Sequence, residues 1–130
     1  MSNSEVVALR WTEFVANRSE FGAGEVLLAQ FKAGHITRLC DCGCNSHTFE
    51  LSTNAKVAVL TSVTDYLLFE LEFFTHPTEN LPVTIRVFSD RRGNLSGIDV
   101  DYCVNSYPMP QNLQLIEPPF EVRGVLANAN

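Results

Sequence analysis

Residues 65–75, DYLLFELEFFT, alternate apolar and polar side chains with a period of two. In an extended chain the apolar positions fall on one side and the acidic positions on the other: Leu67, Phe69, Leu71 and Phe73 against Glu70 and Glu72. Successive side chains of a β-strand point to opposite faces of the sheet. The stretch therefore predicts a strand with one face against an apolar core and the other face toward water.

Two later segments repeat this alternation, namely residues 81–90, LPVTIRVFSD, and residues 95–103, LSGIDVDYC. The turn between them, DRRGN, contains Gly93, which can adopt a positive φ. Strands of similar length joined by short turns form an antiparallel meander. Further strands are expected from composition at 47–53, at 55–63 and at either 114–116 or 120–123.

The N-terminal part of the chain is expected to supply the helices that cover the apolar face. Ser4 can cap a helix from residue 5 toward residue 18, although the apolar residues there also fit the alternation of a strand. Residues 24–34, GEVLLAQFKAG, form a clearer helix with an acidic first turn, a basic last turn and Gly34 at its end. We therefore predict an α+β fold, an antiparallel sheet of four to five strands with the N-terminal helix or helices packed on one face.

Length and charge are those of a small acidic domain. The 130 residues fit a single domain, with a variable N-terminal segment at 1–22 and a frayed tail at 124–130. The formal net charge is −6, which disfavours a nucleic-acid partner and makes a basic protein the natural electrostatic partner. The chain begins without a leader-like segment and contains no long apolar run. These features predict a cytoplasmic protein with reduced thiols and no membrane partner, and a homo-oligomer is compatible with them.

Residues 38–51, RLCDCGCNSHTFEL, combine three alternate cysteines with a histidine, and they suggest a zinc site at Cys40, Cys42, Cys44 and either His47 or Cys103. Thiolate and imidazole are preferred zinc ligands. In an extended strand, alternate side chains lie about 6.7 Å apart. Sulfurs around one zinc ion lie only about 3.8 Å apart. A shared ion therefore requires the chain to curl, and Gly43 is the residue that would allow it.

Two other interpretations of the cysteines are open. A nucleophilic or redox-active thiol beside His47 or His35 would need a lowered thiol pKa. In the structural interpretation, which we favour on the sequence, the small thiols alternate along a strand and fill a tight core layer. In that case no cofactor is bound, and Cys103 is a small residue on the last strand of the meander.

The polar side of the predicted meander defines an acidic face, which we place at Glu70, Glu72, Arg86, Asp99 and Asp101. A solvated sheet face is the usual fate of such alternation, with Arg86 partly neutralising its neighbours. The functional alternatives are docking of a basic protein, or a hard-cation site, since carboxylates coordinate calcium and magnesium.

Two motifs give the chain a resemblance to a family of small uncharacterised bacterial proteins. The family has a Cys-x-Cys-Gly-Cys strand and a later Leu-Ser-Gly-Ile/Leu-Asp/Glu-Val strand, which match Arg38, Cys40, Cys42, Gly43 and Cys44, and then Leu95, Ser96, Gly97, Ile98, Asp99 and Val100. The resemblance covers residues 27–110, and Asp41 departs from the small or polar residue expected there. It implies that the two motifs belong to one fold, and it implies no activity.

These observations predict a small cytosolic binding protein and favour a non-catalytic role over an enzymatic one. Its size and acidity suit an immunity protein that neutralises a basic toxin, an analogy that rests on size and charge alone. The alternative is a zinc-binding or thiol-dependent protein centred on the segment from Cys40 to His47.

Overall fold

The computed structural model describes residues 3–62, 66–76 and 78–124. Two helices precede six strands: α1 Glu5–Ala16, α2 Gly24–Lys32, β1 Gly34–Leu39, β2 His47–Leu51, β3 Leu67–Phe74, β4 Pro82–Ser89, β5 Leu95–Tyr102 and β6 Ile116–Gly124. The strands form one sheet in the order β1-β2-β5-β4-β3-β6, and every neighbouring pair is antiparallel. The α+β prediction is confirmed.

The strand count and the simple meander topology are corrected. The described sheet has six strands rather than four to five, and only β3, β4 and β5 follow one another as a meander. The hairpin of β1 and β2 lies on the free edge of β5, and β6 returns to the free edge of β3. The flanking strands thus cover both edges that a three-stranded meander would leave open.

Helix α1 begins where the sequence suggests. The Ser4 hydroxyl accepts a hydrogen bond from the backbone N–H of Val7 at 3.2 Å, which satisfies one of the free N–H groups of the first turn. The strand interpretation of this segment is wrong. Helix packing buries Val15, and rings on and after α1 meet the sheet edge-to-face: Phe14 lies 5.9 Å from Phe73, and Phe21 lies 5.1 Å from Phe69.

Helix α2 is tied to the sheet by the buried amide of Gln30. This side chain donates to the Ala58 carbonyl and the Asn94 side chain, at 2.8 and 2.9 Å, and accepts from the Leu95 N–H at 2.6 Å. Gly34 opens β1, where an added Cβ would lie 2.3 Å from the Glu50 carbonyl oxygen. Gly34 is therefore required by close approach of two strands rather than by a left-handed helix end.

The strand expected at 55–63 is not formed at the described residues 55–62. The backbone N–H groups of Leu60 and Thr61 instead donate to the Gly93 carbonyl at 2.7 and 3.3 Å, so this segment runs as a loop across the β4–β5 turn. Only part of the segment reaches the core, since Leu60 is 4% exposed and Val59 is 49% exposed. Residue 63 and the tail beyond Gly124 lie outside the described residues.

The alternation in β3 is confirmed on its apolar side except at Leu67, but on the opposite side Leu68 and Glu70 are also buried. Phe69, Leu71 and Phe73 are at most 1% exposed, whereas Leu67 is 38% exposed because a bulge separates it from Phe69. The helices cover this apolar face, and the opposite face carries the charged side chains.

Candidate functional site

The three cysteines lie in a loop between β1 and β2, and this loop curls. Gly43 has φ +104°, a conformation that glycine adopts readily. The Cys40 N–H donates to the Ser46 carbonyl at 3.0 Å, and the Met109 N–H donates to the Gly43 carbonyl at 2.9 Å. Strand pairing is therefore absent from residues 40–46.

The expectation that the thiols fill a core layer of a strand is wrong for two of the three. Cys44 is buried at 7% exposure, whereas Cys40 is half-buried and Cys42 is exposed. Gly43 turns the chain, so that the alternation seen in the sequence no longer sends the side chains to one face of a sheet.

The curl brings the three sulfurs together. Cys42 Sγ lies 2.6 Å from Cys40 Sγ and 3.1 Å from Cys44 Sγ, and all three sulfurs lie within 4.8 Å of one another. An extended strand would hold alternate side chains about 6.7 Å apart. The spacing obstacle to a shared metal ion, raised by the sequence, is therefore removed.

The side chain of Asn3 closes the base of this loop. Its Nδ2 donates to the carbonyls of Cys40 and Ser46 at 3.1 and 2.7 Å. The two ends of the cysteine loop are thus fastened by one amide that sequence reasoning did not single out.

Hydrogen bonding among the thiols separates their acidities. The bond from the Cys40 thiol, with further bonds from the Cys44 backbone and thiol, lowers the pKa of Cys42 to about 7. The same contact raises the pKa of Cys40 to about 12, because losing its proton would forfeit that bond. Cys42 is therefore the thiolate of the cluster near neutral pH, and thiolate is the form that binds metals and attacks electrophiles.

The thiols line an open cleft of about 330 Å³ together with polar side chains, among them Arg38, Asp99, Asp101 and Asn105. Asn105 Nδ2 lies 4.0 Å from Cys42 Sγ. Asp101 Oδ1 is buried without a hydrogen-bond partner among the described residues. Burial raises the pKa of Asp99. The cysteines and part of the acidic face, which the sequence predicted as two separate sites, thus share one cleft.

His47 has a different environment from the three thiols. It lines the same cleft but does not belong to the group of ligand atoms within 4.8 Å. Its ring packs edge-on against Phe31, with centroids 6.1 Å apart, and is 3% exposed. Both ring nitrogens, like both polar atoms of the buried Asn45 amide, have no hydrogen-bond partner among the described residues. Neither His35 nor Cys103 joins the described thiol group.

The acidic face contains two rows of cross-strand neighbours. The first row alternates in charge: Asp99, Arg86, Glu70 and Arg123. Arg86 Nε lies 2.6 Å from Glu70 Oε2, and Glu70 is only 7% exposed. The second row is acidic: Asp101, Thr84, Glu72 and Glu121. Glu70 is therefore inaccessible to a partner, whereas Asp99 and the second-row carboxylates are half-buried and the Arg123 side chain is 68% exposed.

No family model matches this chain, and no curated protein or solved structure shows significant similarity to it. Among the described helices, none has both the length and the apolar character needed to cross a membrane.

Proposed function

We propose that the protein binds one thiophilic metal ion, with zinc as the first candidate, through Cys40, Cys42 and Cys44. The observation that carries this proposal is the convergence of the three sulfurs within 4.8 Å on a loop curled at Gly43. Thiolate sulfur favours zinc and Cu(I) over hard cations. Small outward shifts from 2.6 and 3.1 Å would bring neighbouring sulfurs to the separation of about 3.8 Å found around zinc.

Three protein ligands leave one zinc position for another group. Structural zinc sites are closed by four protein ligands, whereas three ligands with an open position are typical of sites that bind water or a substrate. The three thiols share their cleft with Asp101 and Asn105. The two side chains are suited to hydrogen-bond a water molecule or a small ligand bound to the ion, as groups beyond the metal ligands do in other proteins. His47 or Cys103 stays the candidate fourth ligand as the sequence proposed it, although neither belongs to the described thiol group.

Cobalt substitution tests the ligand set. Reduced, metal-free protein titrated with Co²⁺ is expected to develop thiolate-to-cobalt charge-transfer absorption that saturates at one equivalent. Cys42→Ser should reduce this absorption, and Cys103→Ser, which alters a cysteine outside the group, should leave it unchanged. Equal loss in the two variants, or no charge-transfer band in the wild type, would refute the proposal.

A second candidate function is docking of a basic protein partner, as an immunity protein would do. Two observations favour docking: the net charge of −6 and the acidic second row of the polar face. That row contains Asp101, Thr84, Glu72 and Glu121 in order across the strands. Electrostatic steering by such a surface accelerates association at low salt.

A charge-matched comparison tests this second candidate with an arginine-rich peptide as the probe. The variant Asp101→Asn/Glu72→Gln/Glu121→Gln should slow association at low salt. The control Glu13→Gln/Glu25→Gln/Glu79→Gln removes the same charge at exposed positions elsewhere and should slow it less. If both variants behave alike, only net charge matters and the acidic row is not a docking surface.

A further inference from the structure

A groove of about 460 Å³ is lined by helix α1 and by the segment 111–117, which leads into β6. The residues contributed by α1 share one face of the helix, since they are spaced by three or four positions: Val7, Arg10, Trp11 and Phe14. The segment contributes alternate residues: Gln111, Leu113, Leu115 and Glu117. None of these residues lines the thiol cleft, so the groove is a separate cavity.

The apolar lining of this groove is held in place by the hydrophobic core. Trp11 and Phe14 meet edge-to-face with ring centroids 5.7 Å apart, and Phe14 in turn lies 5.9 Å from Phe73 of β3. Leu113 and Leu115 pack against the same core, and they and the two lining rings stay half-buried. The groove is thus a formed apolar surface that water still reaches. Its volume falls in the range of small-molecule sites, about 300–1,000 Å³.

The charged side chains at this groove differ in whether they have a counter-ion. The Glu117 carboxylate accepts two hydrogen bonds from the Arg18 guanidinium, at 2.6 and 2.8 Å. Arg10 is exposed and makes no ion pair within the part of the chain that the structure describes. The uncompensated charge at the groove is therefore positive, although the chain as a whole has a net charge of −6.

We propose that the groove binds a small monocarboxylate with an apolar tail, such as a medium-chain fatty acid. The guanidinium of Arg10 can hold a carboxylate through two parallel N–H···O bonds. The tail would lie against Trp11, Phe14 and the two lining leucines and remove their exposed surface from water. A ligand with several anionic groups fits less well, because the residues that line the groove include one cation.

Titration of the reduced full chain with octanoate, followed by tryptophan fluorescence, tests the proposal. Trp11 is the sole tryptophan of the sequence, so its emission reports on the groove directly. Octanoate is expected to shift this emission to shorter wavelength, with half-saturation below about 1 mM, because the tail displaces water from the indole. Octylammonium, which has the same tail and the opposite charge, should bind at least about tenfold more weakly. Non-specific binding to an acidic chain would give the reverse order.

Two variants that each remove one positive charge test the role of Arg10. Arg10→Gln should weaken octanoate binding about tenfold, since a charged hydrogen bond is lost, and should leave binding of the uncharged octanamide unchanged, which shows that the groove is intact. Arg92→Gln, at an exposed turn position, should bind octanoate as the wild type does. The proposal is overturned by emission that octanoate leaves unchanged at about 10 mM, by equal binding of octanoate and octylammonium, or by equal loss in the two variants.

Discussion

His47 is an imidazole enclosed between the sheet and α2, and its protonation is linked to folding. Burial lowers the pKa of His47 to about 4, since the charged ring would lose its hydration and both ring nitrogens lack a partner among the described residues. In the unfolded chain the pKa of histidine is about 6.5. The unfolded state therefore takes up a proton first as the pH falls.

We predict that the fold loses stability between about pH 6.5 and about pH 4. A folded-state pKa near 4 means that the contribution of His47 is fully present above pH 6.5, and about 2 kcal/mol of it is lost by about pH 5. Urea denaturation at about pH 7.5 and about pH 5 measures this difference. His47→Gln should flatten the pH dependence, and His76→Gln, at an exposed loop position, should not. Equal pH dependence in wild type and His47→Gln would contradict the assignment.

Cys42 is exposed, and its pKa is lowered to about 7, chiefly by the hydrogen bond from the Cys40 thiol. We predict that brief treatment of metal-free protein with iodoacetamide at neutral pH labels Cys42 before Cys103, whose pKa is raised by desolvation. Peptide mapping by mass spectrometry measures the order of labelling. Added zinc should protect Cys42 and leave the rate at Cys103 unchanged, whereas labelling of Cys103 first would contradict the description of the cluster.

At the scale of elements, the cysteine loop depends on a residue that lies outside it. Asn3 precedes α1 and joins the two ends of the loop through the carbonyls of Cys40 and Ser46. The N-terminal segment thus pre-orders the loop, and pre-ordering lowers the entropic cost of gathering three ligands around one ion.

We predict that Asn3→Ala weakens zinc affinity by up to about thirtyfold, because two hydrogen bonds worth about 1 kcal/mol each no longer hold the loop in its binding geometry. Competition with a chromogenic chelator measures the affinity. Asn112→Ala, at an exposed loop position, is the matched control and should bind zinc as the wild type does. Unchanged affinity in Asn3→Ala would show that the loop is not pre-ordered by this amide.

The elements differ in how far the sequence predicts them. Strands β3, β4 and β5 were predictable, because one apolar and one polar face produce strict alternation. The segment 55–62 was not, because its β-branched residues form a loop whose backbone bonds to the Gly93 carbonyl rather than to a strand. For β6 the sequence predicted a short strand at either 114–116 or 120–123, because two prolines interrupt its pattern, whereas the strand runs over Ile116–Gly124.

The candidate site was predictable as a set of residues but not as a geometry. Alternate cysteines suggested a strand, and only the positive φ of Gly43 together with two loop hydrogen bonds shows that the chain curls. Asn105 and Asn3 carry no local sequence signal, because tertiary contacts bring them to the loop. Likewise, Asp99 and Asp101 reach the thiol cleft only because β2 pairs with β5. This pairing places His47 opposite Ile98, two residues that are far apart in the sequence.

At the scale of the whole molecule, the sheet separates two kinds of chemistry. One face is apolar and is covered by the two helices, and together they form the hydrophobic core. The other face carries rows of charge that begin beside the thiol cleft, at Asp99 and Asp101, and end at the edge strand β6. The proposed metal site therefore lies at the β5 side of the charged rows, beside Asp99 and Asp101.

Native mass spectrometry of freshly reduced protein, before and after chelation, tests the central claim most directly. We predict one zinc ion per chain, lost on chelation and regained on adding zinc, with Cys40→Ser, Cys42→Ser and Cys44→Ser each impaired and Cys103→Ser intact. A mass without metal that added zinc does not change, or zinc retained equally in all four variants, would contradict the assignment of the thiol cluster as a metal site.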